Sequence, residues 1–239
     1  MSLVEIMSDY TSWHVLDNIS TKYLLSLREI NSTFYNTITD YIKRQRILTI
    51  RKSKNAIEAT NQGYKVSYLL NGFDFRNGKT LREILFSLKN IHELKFNCFN
   101  KLEDLDVLDN VKRIHIINCD HLRCLEGLNT LENLESLYLY GPHKFVKDVS
   151  GLRNLKELHL SQMYKIPDLS SLHKLESLSI EVYFNYLDCK IFSNIPNLKT
   201  LYLDYCTKIK NMDDLPKLQT FKCTDCIQLI PHSDGIYGI

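Results

Sequence analysis

Few residues in this 239-residue chain carry types and spacings that do chemistry. Cys223 and Cys226 share the Cys-x-x-Cys spacing that holds a metal ion or cycles between dithiol and disulfide. No second Cys or His pair of matching spacing accompanies them, so packing is the better reading and no metal is expected. Nucleophile, base and phosphate-cradle signatures are missing: there is no G-x-x-x-x-G-K, G-x-G-x-x-G, G-x-S-x-G or H-E-x-x-H. Eight glycines leave little for a phosphate loop. Carboxylates such as Glu132, Glu135 and Glu157 suit solubilising decoration. The reading is therefore no catalytic residue, no cofactor and no enzyme. What remains is recognition chemistry, carried by aromatic and charged side chains at regular intervals.

Those intervals come from one phrase, apolar-x-apolar, that recurs from Leu94 to Cys223. It appears as Leu94-Lys95-Phe96, Ile114-His115-Ile116, Leu137-Tyr138-Leu139, Leu158-His159-Leu160, Leu178-Ser179-Ile180, Leu201-Tyr202-Leu203 and Phe221-Lys222-Cys223. The steps between copies are 20, 23, 21, 20, 23 and 20 residues. Three residues past each phrase stand Phe99, Cys119, Pro142, Met163, Tyr183, Cys206 and Cys226. One copy reads Leu108-x-x-Val111-x-x-Ile114-x-Ile116-x-x-Cys119-x-x-Leu122-x-x-Leu125-x-x-Leu128. This resembles the leucine-rich repeat, whose period is about 20–29 residues. Elementary physics agrees. Apolar alternation makes a short strand with one buried face. Apolar residues at spacing three suit a helical turn or 3₁₀ segment packed back onto it. One such unit cannot bury its own apolar face, so neighbours stack. The expected fold class is α/β: a leucine-rich-repeat solenoid with a curved parallel sheet and short helical or 3₁₀ outer segments. A small helical N-terminal segment precedes it.

With the apolar pairs facing the core, the residue between them faces the concave surface. That column is Lys95, His115, Tyr138, His159, Ser179, Tyr202 and Lys222. Glu93, Arg113, Glu157 and others flank it on one side, and Ile117, Tyr140, Glu181 and Asp204 on the other. Seven strands make a sheet on the order of 30 Å across, enough for a peptide or the face of a small domain. Lys95, His115, Tyr138, Tyr140, His159, Tyr202, Asp204 and Lys222 are the candidate partner-binding residues, and the expected partner is a protein. Exposed aromatics bury much area at low entropic cost, although tyrosine also favours strands for its β-propensity alone. His115 and His159 lie two strands apart, roughly 10 Å, too far to share a metal ion.

Ahead of the repeats the spacing turns helical. Tyr23, Leu24, Leu27 and Ile30 fall on one face, continued by Phe34, Tyr35, Ile38 and Ile42. The stretch from Val15 to Tyr35, best in Leu24-Leu25-Ser26-Leu27 and Ile30-Asn31-Ser32-Thr33-Phe34-Tyr35, resembles the F-box. That three-helix motif docks on the adaptor subunit of cullin–RING ubiquitin ligases. The family opens with Leu-Pro, where this chain has Met7-Ser8. The resemblance implies that Leu24, Leu25, Leu27, Ile30, Phe34 and Tyr35 hold the adaptor. The alternative is a helical cap sealing the solenoid core. Further on, Ile47–Ile50 among cations reads as an irregular first strand, Tyr64–Leu70 as another. A helix capped by Thr80 carries Leu81, Ile84, Leu85 and Leu88.

The boundaries that follow are an F-box-like segment or cap over 1–45, a solenoid over 46–229 with regular repeats from about 88, and a tail over 230–239. The 23-residue steps place insertions near Gly141–Lys144 and Tyr183–Tyr186. A net charge of +2 gives no argument for nucleic acid or anionic lipid. No apolar run is long enough to span a membrane, and the start lacks the pattern of a secretion signal. Seven cysteines, an odd number with several at repeat positions, suggest reduced thiols in the cytoplasm or nucleus. Richness in Ile, Asn, Lys and Tyr suggests an AT-rich genome, such as a protist or large DNA virus; a viral source would put the chain in host cytoplasm. The function expected is a protein-interaction scaffold, monomeric on its own. It recruits substrates to a cullin–RING ligase or, alternatively, stands alone as a binding module.

Overall fold

The computed structural model describes residues 20–27, 32–50, 53–72, 81–86, 91–100, 102, 105–108, 110–119, 125–141, 149–163, 165–181, 187–206, 208–211, 214–215, 218–226 and 228–229. The chain divides into two compact units, 1–68 with 88–92, and 69–87 with 93–239.

The first unit opens with helices α1 (Thr21–Leu27) and α2 (Ser32–Gln45), followed by strand β1 (Ile47–Ile50) and helix α3 (Ser53–Asn61). Strand β2 (Lys65–Asn71) pairs in parallel with β1. Leu24, Ile38, Tyr41 and Ile42 are fully buried, so the helical spacing found the core with one correction. Tyr35, placed on the apolar face by spacing, is 46% exposed, and Tyr41 takes the interior position. Tyr23, Leu27 and Phe34 lie in the helices but their side chains are outside the described set, as is all of Ile30. The cations of this segment are locally engaged. Arg44 pairs with Asp40 at 3.1 Å, Lys43 lies 5.2 Å from the Tyr64 ring centre, and Arg46 lies 5.6 Å from that of Tyr41. Helix α3 carries no apolar stripe; Ala56 and Thr60 bury instead, with the Thr60 hydroxyl donating to the Ile57 carbonyl at 2.9 Å.

The second unit holds helix α4 (Leu81–Phe86), which buries Leu85, and then the regular coils. Their strands are β3 (Ile91–Asn97), β4 (Arg113–Ile117), β5 (Ser136–Tyr140), β6 (Glu157–Ser161), β7 (Ser177–Glu181), β9 (Thr200–Asp204) and β11 (Thr220–Thr224). Each pairs in parallel with the next, in the order β3-β4-β5-β6-β7-β9-β11. The paired apolar residues from Leu94 and Phe96 through Leu201 and Leu203 are buried. Alternation allows one strand face only one environment. Here that environment is the packed interior.

The return segments behave as spacing-three leucines should. Leu128, Leu131 and Leu134 donate N–H to the carbonyls of Leu125, Leu128 and Leu131, three residues back. Leu152 and Leu155, then Leu172 and Leu175, repeat the pattern, and all of these side chains are buried. A bond to the third residue back is the 3₁₀ signature, which stacks every third side chain on one face. Short strands β8 (Leu187–Asp188), β10 (Lys208–Lys210) and β12 (Gln228–Leu229) add a second, three-stranded sheet that spacing did not foretell. Such pieces are too short to show alternation.

Each corner repeats as well. Cys98, Asn118, Gln162, Tyr205 and Asp225, one residue past their strands, have positive φ, and Gly141 does at the same place in its coil. The N–H groups of Asn118, Gln162 and Tyr205 bond the carbonyls of Tyr140, Glu181 and Thr224 at the ends of the neighbouring strands. A left-handed residue other than glycine costs roughly 1 kcal/mol and persists where such bonds over-determine it. Just beyond, the Cys119 thiol donates to the Ile117 carbonyl at 3.2 Å and its sulfur accepts the Phe99 N–H, also at 3.2 Å. Stacked parallel strands, left-handed corners and 3₁₀ returns around one interior define a leucine-rich-repeat solenoid.

One expectation is corrected. Cys223 and Cys226 are joined in a disulfide, with Cα atoms 6.1 Å apart, whereas Cys98, Cys119, Cys189 and Cys206 are free. Both sulfurs belong to the last regular coil, Cys223 replacing the inward aliphatic residue and Cys226 occupying the corner, so the fold itself brings them together. Cys124, the insertions at 142–148 and 182–186, and the tail at 230–239 lie outside the described residues.

Candidate functional site

The parallel register sets Lys95, His115, Tyr138, His159, Ser179, Tyr202 and Lys222 side by side in one row on the face opposite the interior. A second row on that face, two residues further along, holds Asn97, Ile117, Tyr140, Ser161, Glu181, Asp204 and Thr224. Strand neighbours in register lie close enough for rings to meet. They do. His115 stacks on Tyr138 with ring centres 4.3 Å apart and planes within 6°. Tyr140 lies 6.0 Å from His115 and 6.2 Å from Tyr138, nearly coplanar in tilt, while His159 approaches Tyr140 at 5.1 Å. Four rings contributed by three adjacent strands thus make a platform.

Its electrostatics differ from end to end. At the β3–β4 end, Glu93 is buried but met by cations: Lys95 at 3.0 Å and Arg113 at 3.4 Å. His115 Nε2 sits 3.6 Å from the same carboxylate, beyond hydrogen-bond reach. Burial therefore wins over that carboxylate's attraction and pushes the His115 pKa down to about 4. Burial also lowers His159, against the pull of Glu181 and Glu157. Both imidazoles are neutral near pH 7, hence polar aromatic surface rather than charge. Tyr138 is held well above the usual phenol range, first by burial and then by its hydrogen bond to the Glu157 carboxylate, so it stays protonated. Burial raises Tyr140 in the same direction.

The β6–β9 end has the opposite balance. Glu157, Glu181 and Asp204 line it, and no Lys or Arg occurs on β6, β7 or β9. The Ser161 hydroxyl donates to Glu181 at 2.7 Å, and Asp204 accepts the backbone N–H of Tyr205 at 3.1 Å. Among the described residues no ion pair reaches these three carboxylates. Glu181 and Asp204 are register partners across β7 and β9, two like charges directly opposite one another. Tyr202, two residues before Asp204 on β9, is 41% exposed, and its register partner Lys222 on β11 is exposed.

All eight candidates, six in the first row and Tyr140 and Asp204 in the second, thus lie on one face, but they are unequal. Tyr138, Tyr140, His115 and His159 support one another, whereas Tyr202 and Lys222 stand open. Glu93, Arg113, Glu157 and Glu181 belong with them; strand alternation placed these four on the same face, and only their contacts reveal their part. Of the adaptor-binding candidates, Leu24 is 0% exposed and serves the interior, while Leu25 at 37% and Tyr35 are exposed. No group of three or more Asp, Glu, His or Cys suited to a metal ion occurs among the described residues.

No protein-family model and no curated protein matches this sequence. Among solved structures, the chain is similar to the leucine-rich repeat domain of the type III effector XopL. The likeness covers 96% of this chain and 90% of that one, at 14% identity and a TM-score of 0.49. A likeness at that level carries no argument; the architecture rests on the strand register.

Proposed function

We propose that this protein is a binding scaffold whose open strand face, from β3 to β11, holds a protein partner. The observation that carries the reading is the ring platform of His115, Tyr138, Tyr140 and His159 on the same sheet face as exposed Tyr202. Rigid aromatic side chains fixed by a scaffold lose little entropy on binding, which is the property of interface anchors. Proximity labelling in the native cell, followed by binding assays with the purified partner, tests it. Tyr138→Ala combined with Tyr202→Ala is expected to weaken the partner by at least about tenfold with the fold intact by circular dichroism. Unchanged affinity sinks the reading.

The finer proposal is that the partner is a ubiquitination substrate, with residues 7–42 held by the adaptor of a cullin–RING ligase. The scaffold would then act by raising the local concentration of target lysines near a conjugating enzyme made elsewhere. Supporting it are the F-box-like sequence and the two helices at that place, which leave Leu25 and Tyr35 outward. Because Leu24 is interior, Leu25→Asp with Tyr35→Asp is the informative variant. Stoichiometric co-purification with the adaptor, lost in that variant, is expected. Absence of adaptor leaves α1 and α2 as a cap.

A further inference from the structure

Resting on the reading that this face binds protein, we infer that its β6–β9 end takes a basic segment of the partner, an extended stretch bearing arginine or lysine side chains. Three features converge on that chemistry. Glu181 and Asp204 face each other across adjacent strands, an arrangement that is destabilising for the free chain and is relieved when a cation comes between them. Glu157 adds a third carboxylate, and β6, β7 and β9 supply no cation of their own. The imidazole of His159, neutral through burial, adds no positive charge to offset them.

The aromatic surroundings sharpen the fit. Tyr140 and His159 stand on the two strands before Glu181, and open Tyr202 stands two residues before Asp204 on β9, so an arriving guanidinium or ammonium meets ring faces as well as carboxylates. Glu157 and Glu181 stand at opposite ends of neighbouring strands, four residues apart along the strand direction, or roughly 13 Å. A partner with basic side chains separated by a similar distance along an extended backbone engages both. The other end of the face behaves differently, since Glu93 there is already met by Lys95 and Arg113. Specificity thus arises from uneven neutralisation along one row of strands.

The test uses the full chain and a fluorescent peptide of alternating arginine and serine, with a glutamate–serine peptide as control, read by anisotropy. Binding of the arginine peptide only is expected, weakened at least about tenfold by Glu181→Gln with Asp204→Asn. The double variant Glu58→Gln with Glu132→Gln alters net charge equally at exposed sites off this face and is expected to leave binding unchanged. Equal weakening by the two double variants, or none by the first, overturns the inference. The outcome separates from failure of the scaffold reading. A native partner that is lost on substituting Tyr138 and Tyr202 but retained by Glu181→Gln with Asp204→Asn shows a protein-binding face without basic preference.

Discussion

Two rows of charge cross the same coils, and they are balanced differently. Immediately before the strands run Lys112, Glu135, Lys156, Glu176 and Lys199, alternating in sign from coil to coil. Glu135 is gripped by Lys112 at 3.1 Å and Lys156 at 3.4 Å, and Glu176 by Lys199 at 2.7 Å. Hydrogen bonding to these lysines holds both carboxyls below their ordinary range. The backbone of these same residues is also linked, the N–H groups of Glu135, Lys156, Glu176 and Lys199 donating to the carbonyl of the residue one coil earlier. Across the open face the repeat instead sets Glu181 against Asp204. The comparison teaches that the repeat does not itself dictate frustration. Where the row runs between coil edges it is complementary, and on the strand face at Glu181 and Asp204 it is not.

The largest expected effect breaks or sustains the face assignment itself. Leu158→Ala removes a fully buried side chain from β6 and is expected to cost about 2–5 kcal/mol in urea denaturation. Its neighbour His159→Ala should cost well under half as much. Similar losses for both would mean that the strand has no open side.

A pH series comes next in size. His115 has its folded pKa lowered to about 4, so between that value and the unfolded 6.5 the unfolded chain binds more protons. Stability is therefore complete above about pH 6.5 and falls as pH drops toward 4, by about 1–2 kcal/mol for this residue after allowing for its partial exposure. His115→Asn should flatten that part of the profile; a slope unchanged by the substitution would place the proton elsewhere.

Smaller still is the acidic corner. Glu181→Gln keeps an acceptor for Ser161 while removing a like charge, so it should be neutral or raise stability by up to about 0.5 kcal/mol. A clear loss would mean that an ion pair stabilises Glu181 in the free chain. The smallest effect belongs to the balanced row. Glu135→Gln should cost under about 1 kcal/mol, and the difference should shrink in 1 M salt where charges are screened within about 3 Å. A salt-independent loss would point to packing.

Much of this was legible from residue spacing. The inward pairs, the row containing Tyr138, His159 and Tyr202, and the 3₁₀ returns all follow from periods of two and three, because each period permits only one buried face. Helix α3 was not legible, since it buries Ala56 and Thr60 rather than a leucine stripe. Nor was the exchange of Tyr35 for Tyr41, because helical spacing narrows the inward face only to a broad arc.

By itself, the order of amino acids determined that coils must stack and which residues share an open face; a strand cannot turn one side chain inward without turning the next outward. Tertiary structure alone decided what those outward residues are to one another. Whether Glu93 meets Arg113, whether Glu181 meets Asp204 and Ser161, and whether Cys223 reaches Cys226 depend on distances across neighbouring coils or around one corner. Charge and sulfur chemistry act over a few ångströms in space, and separation along the chain does not set that distance.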